Sequence, residues 1–254
     1  IWENKMEEKI ARMRELIPVL QKASRAYYAQ DTEIMSNFEY DRLYDELVEL
    51  ENETGIHMSG SPTSKVGYET LSELPKENHE KPMLSLDKTK SVDTLAEFAG
   101  VHECLLSWKL DGLTVVLTYN NGELVKAVTR GNGYVGEVIT PNAKVFKNIP
   151  LTIPYKGELI LRGEAIITYS DFNRINDSII DDAEKYKNPR NLCSGSVRQL
   201  NNEITAKRNV KLIAFALIKA EGINFHNSVE EQFEFLEKQG FEVVERKIVD
   251  GTTV

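Results

Sequence analysis

Cysteine is nearly missing from this chain: Cys104 and Cys193 are the two in 254 residues. They lie far apart, outside any Cys-x-x-Cys or histidine-rich pattern, which excludes a disulfide framework and a cysteine-built zinc site. Both read as packing residues, and no metal-ligating set is assigned. Long apolar runs are missing too. No stretch approaches the roughly 20 residues that span a bilayer, and the N-terminal "IWENKMEEKIARM" lacks the layout of a signal peptide. A cytoplasmic protein with no membrane partner is expected. Positive charge is in deficit, with 31 Lys and Arg against 40 Asp and Glu and a formal net charge of −9. That balance argues against a surface that holds nucleic acid by charge alone. One island runs the other way: between Lys187 and Lys211, the cations Lys187, Arg190, Arg198, Lys207, Arg208 and Lys211 face only Glu203.

What is present suffices for an ordinary core, 41% of residues being hydrophobic. In "EEKIARMRELIPVLQKASRAYY", Ile10, Met13, Ile17 and Leu20 fall on one helical face, and Pro18 is expected to kink or split the helix. Ser36 with Glu39 has the spacing of a capping box, and Tyr40, Leu43, Tyr44, Leu47 and Leu50 continue at helical intervals towards Gly55. These elements form a small helical module that "MSGSPTSKVG" (58–67) ends as a linker, with a hinge expected near residues 58–75.

From about residue 84 the pattern turns to strands. "CLLSWKL" and "LTVVLTY" are apolar and β-branched, "NNG" (120–122) is a hairpin turn, and "ELVKAVTR" returns. "ELILRGEAIIT" and "VKLIAFALI" are further strands, Ser170 is placed to cap a helix through "DFNRINDSI", and "SVEEQFEFLEKQ" is a helix stopped by Gly240. Hairpins mixed with helices give an α+β fold: a helical module over residues 1–68, then a mixed, mainly antiparallel sheet domain over 69–254.

The chemistry concentrates in "SWKLDGL". A lysine in water is neutral in on the order of one molecule in a thousand near pH 7, so presenting the bare amine costs about 4 kcal/mol. Placing Lys109 at the inner end of an apolar strand, near bound cations, would lower that cost. Asp111 is suited to orient the amine or accept its proton, and Gly112 lets a ligand approach the backbone. "TRGNGYVGE" supplies Arg130 and three glycines, suited to bring a cation and backbone amides to phosphate oxygens. Glu164 sits in mid-strand, where a carboxylate needs a hydroxyl, metal or cation to meet. Phe215 offers a flat surface for a base.

Taken in order, "YYAQDTEIMSNFEYDRLYDELVELE", "SPTSKVG", "HEKPMLSLDK", "KLDGL", "TRGNGYVGE", "LRGEA" and "NPRNLCSGSVRQL" make the chain resemble the bacterial NAD-dependent DNA ligases over nearly its whole length. The resemblance implies a nucleotidyltransferase domain in which Lys109 attacks the α-phosphorus of NAD, expels nicotinamide mononucleotide (NMN), and carries AMP for transfer to the 5′-phosphate of nicked double-stranded DNA. It implies NAD as substrate, magnesium as the accompanying ion, and a monomer. It places Tyr27, Tyr28, Tyr40 and Asp41 on the NMN half, Ser85 and Leu86 beside the adenosine, and Arg130 and Glu164 near the phosphates and ribose. Phe215 is placed against adenine, and Arg190 and Arg198 near the nick.

Three positions depart from that family's pattern: Ser107 stands where a glutamate reads adenine, Asn37 where the helical module is acidic, and Val138 where an aspartate is usual. The chain also stops at "VDGTTV", before the family's later lysine-bearing motif. At most self-adenylation is therefore expected of these residues, not nick sealing. The competing reading is a ligase-fold binding protein with impaired catalysis, and a third is an ATP-dependent relative.

Overall fold

The structure, a computed structural model, describes residues 2–30, 34–64, 73–83 and 86–254. Helices α1 (Trp2–Gln30) and α2 (Asn37–Thr54) pack on each other. The apolar stripe explains the pairing: Ile10, Met13, Ile17 and Leu20, joined by Leu16, are buried with Leu43 and Leu47, and Tyr40, Tyr44 and Leu50 pack at the margin. Ser36 Oγ accepts the Glu39 N–H at 3.2 Å, and Gly55, at φ 68°, closes α2 by donating its N–H to the Glu51 carbonyl. Pro18 does not split α1, which runs unbroken through it, so of the kink or split expected from sequence the split does not occur. Pro18 and Arg14, whose carbonyl loses its amide partner, are both exposed residues. Buried Ile17 and Leu20 meanwhile hold both halves of the helix against α2.

The rest of the chain builds an α+β domain. Strand β1 (His57–Met58) follows α2, then β2 (Lys76–Asn78), helix α3 (Val92–Ala99) and β3 (Cys104–Ser107). The hairpin β4 (Leu113–Asn120) and β5 (Glu123–Thr129) turns through Asn121 and Gly122, whose φ values of 50° and 81° are those of a primed turn. Next come β6 (Val135–Glu137), α4 (Thr140–Ala143), β7 (Pro150–Thr152) and β8 (Leu159–Ile166). Helices α5 (Tyr169–Asp177), α6 (Pro189–Val197) and α7 (Asn202–Lys207) precede β9 (Lys211–Ala220), α8 (Val229–Lys238) and β10 (Arg246–Val249). Thr168, not Ser170, caps α5: its Oγ1 accepts the Asp171 N–H, while Ser170 lies inside the first turn and its hydroxyl meets that of Thr168 at 2.9 Å.

Six strands form one sheet in the order β1-β7-β5-β4-β8-β9, every neighbouring pair antiparallel, and two-stranded sheets join β3 to β10 and β2 to β6. Alternation along β4 and β8 gives the large sheet two different faces. Val115, Leu117, Tyr119, Leu159, Leu161 and Ala165 point into the main core, under helices α4, α6 and α8. Thr114, Val116, Thr118, Arg162 and Glu164 share the opposite, half-buried face. That second face carries the polar chemistry.

The helical pair is seated on this sheet. β1 pairs with β7, Ser59 N–H donates to the Ile149 carbonyl at 3.0 Å, and Arg14 Nη2 donates to the Gly240 carbonyl at 3.2 Å. The expected hinge and the expected division after residue 68 fall largely on residues 65–72, outside the described ones. Residues 58–64, at the head of that hinge, are tied down.

An exposed proline in a helix interior forfeits one hydrogen bond, at about 3 kcal/mol relative to alanine. Pro18→Ala is expected to raise stability by about 1–3 kcal/mol in urea denaturation, and an unchanged or lowered midpoint would mean that the proline costs α1 no hydrogen bond that matters.

Candidate active site

Lys109 stands in a short irregular stretch between β3 and β4, and both ends of that stretch are fixed by carboxylates. On one side Trp108 Nε1 donates to Glu245 Oε2 at 3.0 Å, on the approach to β10. On the other, Gly112 N–H donates to Glu164 Oε1 at 3.0 Å, while Thr114 Oγ1 donates to Glu164 Oε2 at 2.8 Å. The mid-strand carboxylate has thus found the hydroxyl its position called for, plus a backbone amide. Gly112 is required here for a close approach: a Cβ at that position would lie 1.9 Å from the Ala165 carbonyl oxygen. Lys109 itself is exposed and makes no hydrogen bond or ion pair among the described residues. The sheltered strand-end setting read from sequence is not what the structure gives, because β3 stops at Ser107 and its apolar run does not carry the lysine inward.

Asp111 is exposed and paired, its Oδ1 accepting from Arg190 Nη1 at 3.0 Å. Arg190 comes from the first turn of α6, so the basic segment is brought against the lysine loop. Arg198, just past the end of α6, clasps Glu137 with two bonds, Nε to Oε2 at 2.5 Å and Nη2 to Oε1 at 2.8 Å. Those bonds hold the Arg198 charge more firmly than usual. Lys207 pairs with Glu203, and Arg208 lies 5.5 Å over the Tyr186 ring. The basic island is therefore matched in part by carboxylates that the linear sequence keeps distant.

Arg130 leaves the end of β5, where its N–H donates to the Thr114 carbonyl at 2.9 Å and its Nε and Nη2 reach the Met83 carbonyl at 3.2 and 3.0 Å. The loop behind it serves itself. Gly131 and Gly133 take φ 57° and 93°, Asn132 Oδ1 accepts the N–H groups of Tyr134 and Val135, and Gly133 N–H returns to the Arg130 carbonyl. The backbone amides that the sequence offered to phosphate are largely used inside the turn, and the Arg130 side chain is itself engaged with Met83.

The remaining sequence-derived residues are less gathered. Phe215 occupies a bulge in β9 beside Arg162 and Gly163 of β8, half-buried against the core. Tyr40 stacks on Tyr44 with centroids 6.3 Å apart, Asp41 next to it is exposed, and Leu86 is 91% exposed. Ser85 and the side chains of Tyr27, Tyr28 and Asn37 lie outside the described residues. Of the departures from pattern, Ser107 ends β3 opposite Arg246, and Val138 donates its N–H to the Pro75 carbonyl at 2.7 Å. Sequence reading missed Thr114, Trp108 and Glu245. The signal for Thr114 was only its place two residues after Gly112, and nothing in the linear order links Trp108 to Glu245.

No group of three or more His, Cys, Asp or Glu that would hold a metal ion occurs among the described residues. No described helix is long and apolar enough to cross a membrane.

Two family profiles cover the chain: "NAD-dependent DNA ligase adenylation domain" over residues 71–252 and "DNA ligase-like, N-terminal NAD+-binding domain" over residues 6–67. Among curated relatives, a DNA ligase of Lachnoclostridium phytofermentans is 66% identical over 96% of this chain and 37% of its own length. A DNA ligase of Ruminiclostridium cellulolyticum is 61% identical over 98% and 38%, and one of Clostridioides difficile 39% identical over 91% and 36%. The chain spans a little over a third of the length of these relatives.

Removing the Glu164 carboxylate strands one amide and one hydroxyl, a loss of about 1–2 kcal/mol for a half-buried pair. Glu164→Ala is expected to speed hydrogen exchange at the Gly112 amide while the Leu117 and Tyr119 amides keep their protection, and Glu164→Gln, which retains an acceptor, should do so less. Unchanged exchange at Gly112 would remove Glu164 from this positioning role.

Proposed function

The chain belongs to the NAD-dependent DNA ligase adenylation-domain family, and we propose on that premise that its described residues carry the first step of ligation, the transfer of AMP from NAD to Lys109. The observation that supports this most is the setting of Lys109: a side chain free to reach a ligand on a backbone fixed at both ends, with Glu164 holding the end at Gly112, three residues from the lysine, and the Arg130 backbone bonded to the neighbouring Thr114. In the step, Lys109 Nζ forms a bond to the α-phosphorus, the bond from that phosphorus to the bridging oxygen breaks, and NMN leaves with the electron pair. The amine loses a proton, for which Asp111 is the nearby acceptor once Arg190 releases it. Arg130 neutralises charge on the crowded phosphorus. The helical module, with Tyr27, Tyr28, Tyr40 and Asp41, holds the leaving half in line with the attacking nitrogen.

Ser85, Leu86 and Phe215 are assigned to the adenosine, and Arg190 and Arg198 to phosphates of nicked DNA. We assign residues 1–68 to NMN recognition and 69–254 to adenylation, acting as a monomer in the cytoplasm. In the longer protein the AMP would pass to the 5′-phosphate of the nick before the 3′-hydroxyl displaces it. Magnesium belongs to the reaction by family analogy, but the described carboxylates and histidines form no cage that fits it, and no step here is routed through the ion. The strong likeness to DNA ligases over nearly the whole chain gives no support to a binding protein without catalysis.

Incubation with NAD and magnesium is expected to add one AMP, read by intact mass, with peptide mapping at Lys109 and no adduct on Lys109→Arg. An adduct that persists in that variant, or that maps elsewhere, would overturn the assignment.

A further inference from the structure

On the second face of the large sheet, beyond Arg162, a cavity of about 400 Å³ has an apolar floor of Val116, Val128, Ile160 and Ile218. Thr118 also lines it, four residues along β4 from Thr114, or about 13 Å at a strand's rise. The cavity therefore runs away from the lysine loop, and neither Lys109 nor Glu164 lines it.

Its charges are unevenly matched. Lys126 is paired with Glu77 and Lys219 with Glu158. Arg162 is not matched: its Nε is buried without a hydrogen-bond partner, and the guanidinium makes no ion pair among the described residues. Burial, and then the charge of Arg130, press the Arg162 guanidinium below its ordinary range. A half-buried cation in this state is costly until an anion reaches it. Its planar fork of N–H donors fits a carboxylate or phosphate with two parallel bonds. Across the lining, four cations (Lys81, Lys126, Arg162 and Lys219) stand against three carboxylates (Glu77, Glu80 and Glu158), which favours a ligand with one negative charge.

We propose that this cavity is a second small-molecule site, selective for an apolar monocarboxylate, with Arg162 taking the carboxylate and the floor of Val116, Val128, Ile160 and Ile218 taking the apolar body. The cavity borders the residues assigned to the first step, since Met83, whose carbonyl holds Arg130, also lines it, but neither Lys109 nor Glu164 does. The probes are 2-naphthoate and 2-naphthalenemethanol, which share the ring system and differ in charge. Titrated into the 15N- and methyl-labelled chain, naphthoate is expected to shift the Arg162 Nε–H signal and the Ile160 and Ile218 methyls, and to bind at least tenfold more tightly than the alcohol. Arg162→Met should abolish that difference; if this variant does not fold, the comparison of the two probes on the unaltered chain decides alone. Equal affinity for the two probes, or shifts confined to the Lys109 loop, would overturn the proposal. Displacement of naphthoate by NAD would also overturn it, by making the cavity part of the nucleotide site. Tighter binding of 2-naphthyl phosphate than of naphthoate would overturn the choice of carboxylate. None of these outcomes depends on AMP transfer, so failure here and failure of the adenylation reading are separable.

Discussion

One carboxylate joins the two strands on which the site is built. Glu164, in the middle of β8, accepts from the backbone at Gly112 and from the hydroxyl of Thr114, on either side of the point where β4 begins. The bare backbone of Gly112 lets the chain come close enough to the Ala165 carbonyl for this to happen. With Trp108 fixed to Glu245 at the other end, the stretch that carries Lys109 is held at its base while the lysine side chain reaches outward. In the role proposed for Lys109, that division would supply positioning through the main chain and reach through the side chain.

The cations round this stretch are held by carboxylates, Arg190 by the exposed Asp111 and Arg198 by the half-buried Glu137. Exposed ion pairs contribute at most about 1 kcal/mol. A phosphate, with more charge and more acceptor oxygens, would replace either partner at small cost. The arrangement keeps an overall acidic chain from carrying bare positive patches, yet leaves both arginines available to a strong anion. It also couples the lysine loop to the basic helix, because the carboxylate released from Arg190 stands two residues from the lysine.

Much of this was legible before any coordinates. Ile10, Met13, Ile17 and Leu20 gave the buried stripe of α1, Ser36 and Gly55 gave the ends of α2, and the Asn-Gly pair gave the β4–β5 turn, since each is a local signal with a local cause. The split expected at Pro18 does not occur, because tertiary packing on α2 outweighs one missing hydrogen bond. Ser170 misled because Thr168, an equally good cap, lay two residues earlier. The setting of Lys109 was misread for a different reason: whether an apolar strand runs on past its last paired residue depends on its neighbour, and β10 pairs with β3 only from Ser107 back to Cys104. The partners of Arg190, Arg198 and Trp108 are 79, 61 and 137 positions away in sequence, beyond the reach of any periodicity.

The two-residue strand β1 has a consequence out of proportion to its length. It lies on the outer side of β7, the place where the large sheet would otherwise end in unpaired amide and carbonyl groups. An uncovered margin of that kind invites pairing with another molecule. The N-terminal helices deliver His57 and Met58 to that margin, so the helical pair and the sheet share a backbone-paired seam, and only two residues of β1 are left as the outermost strand on that side.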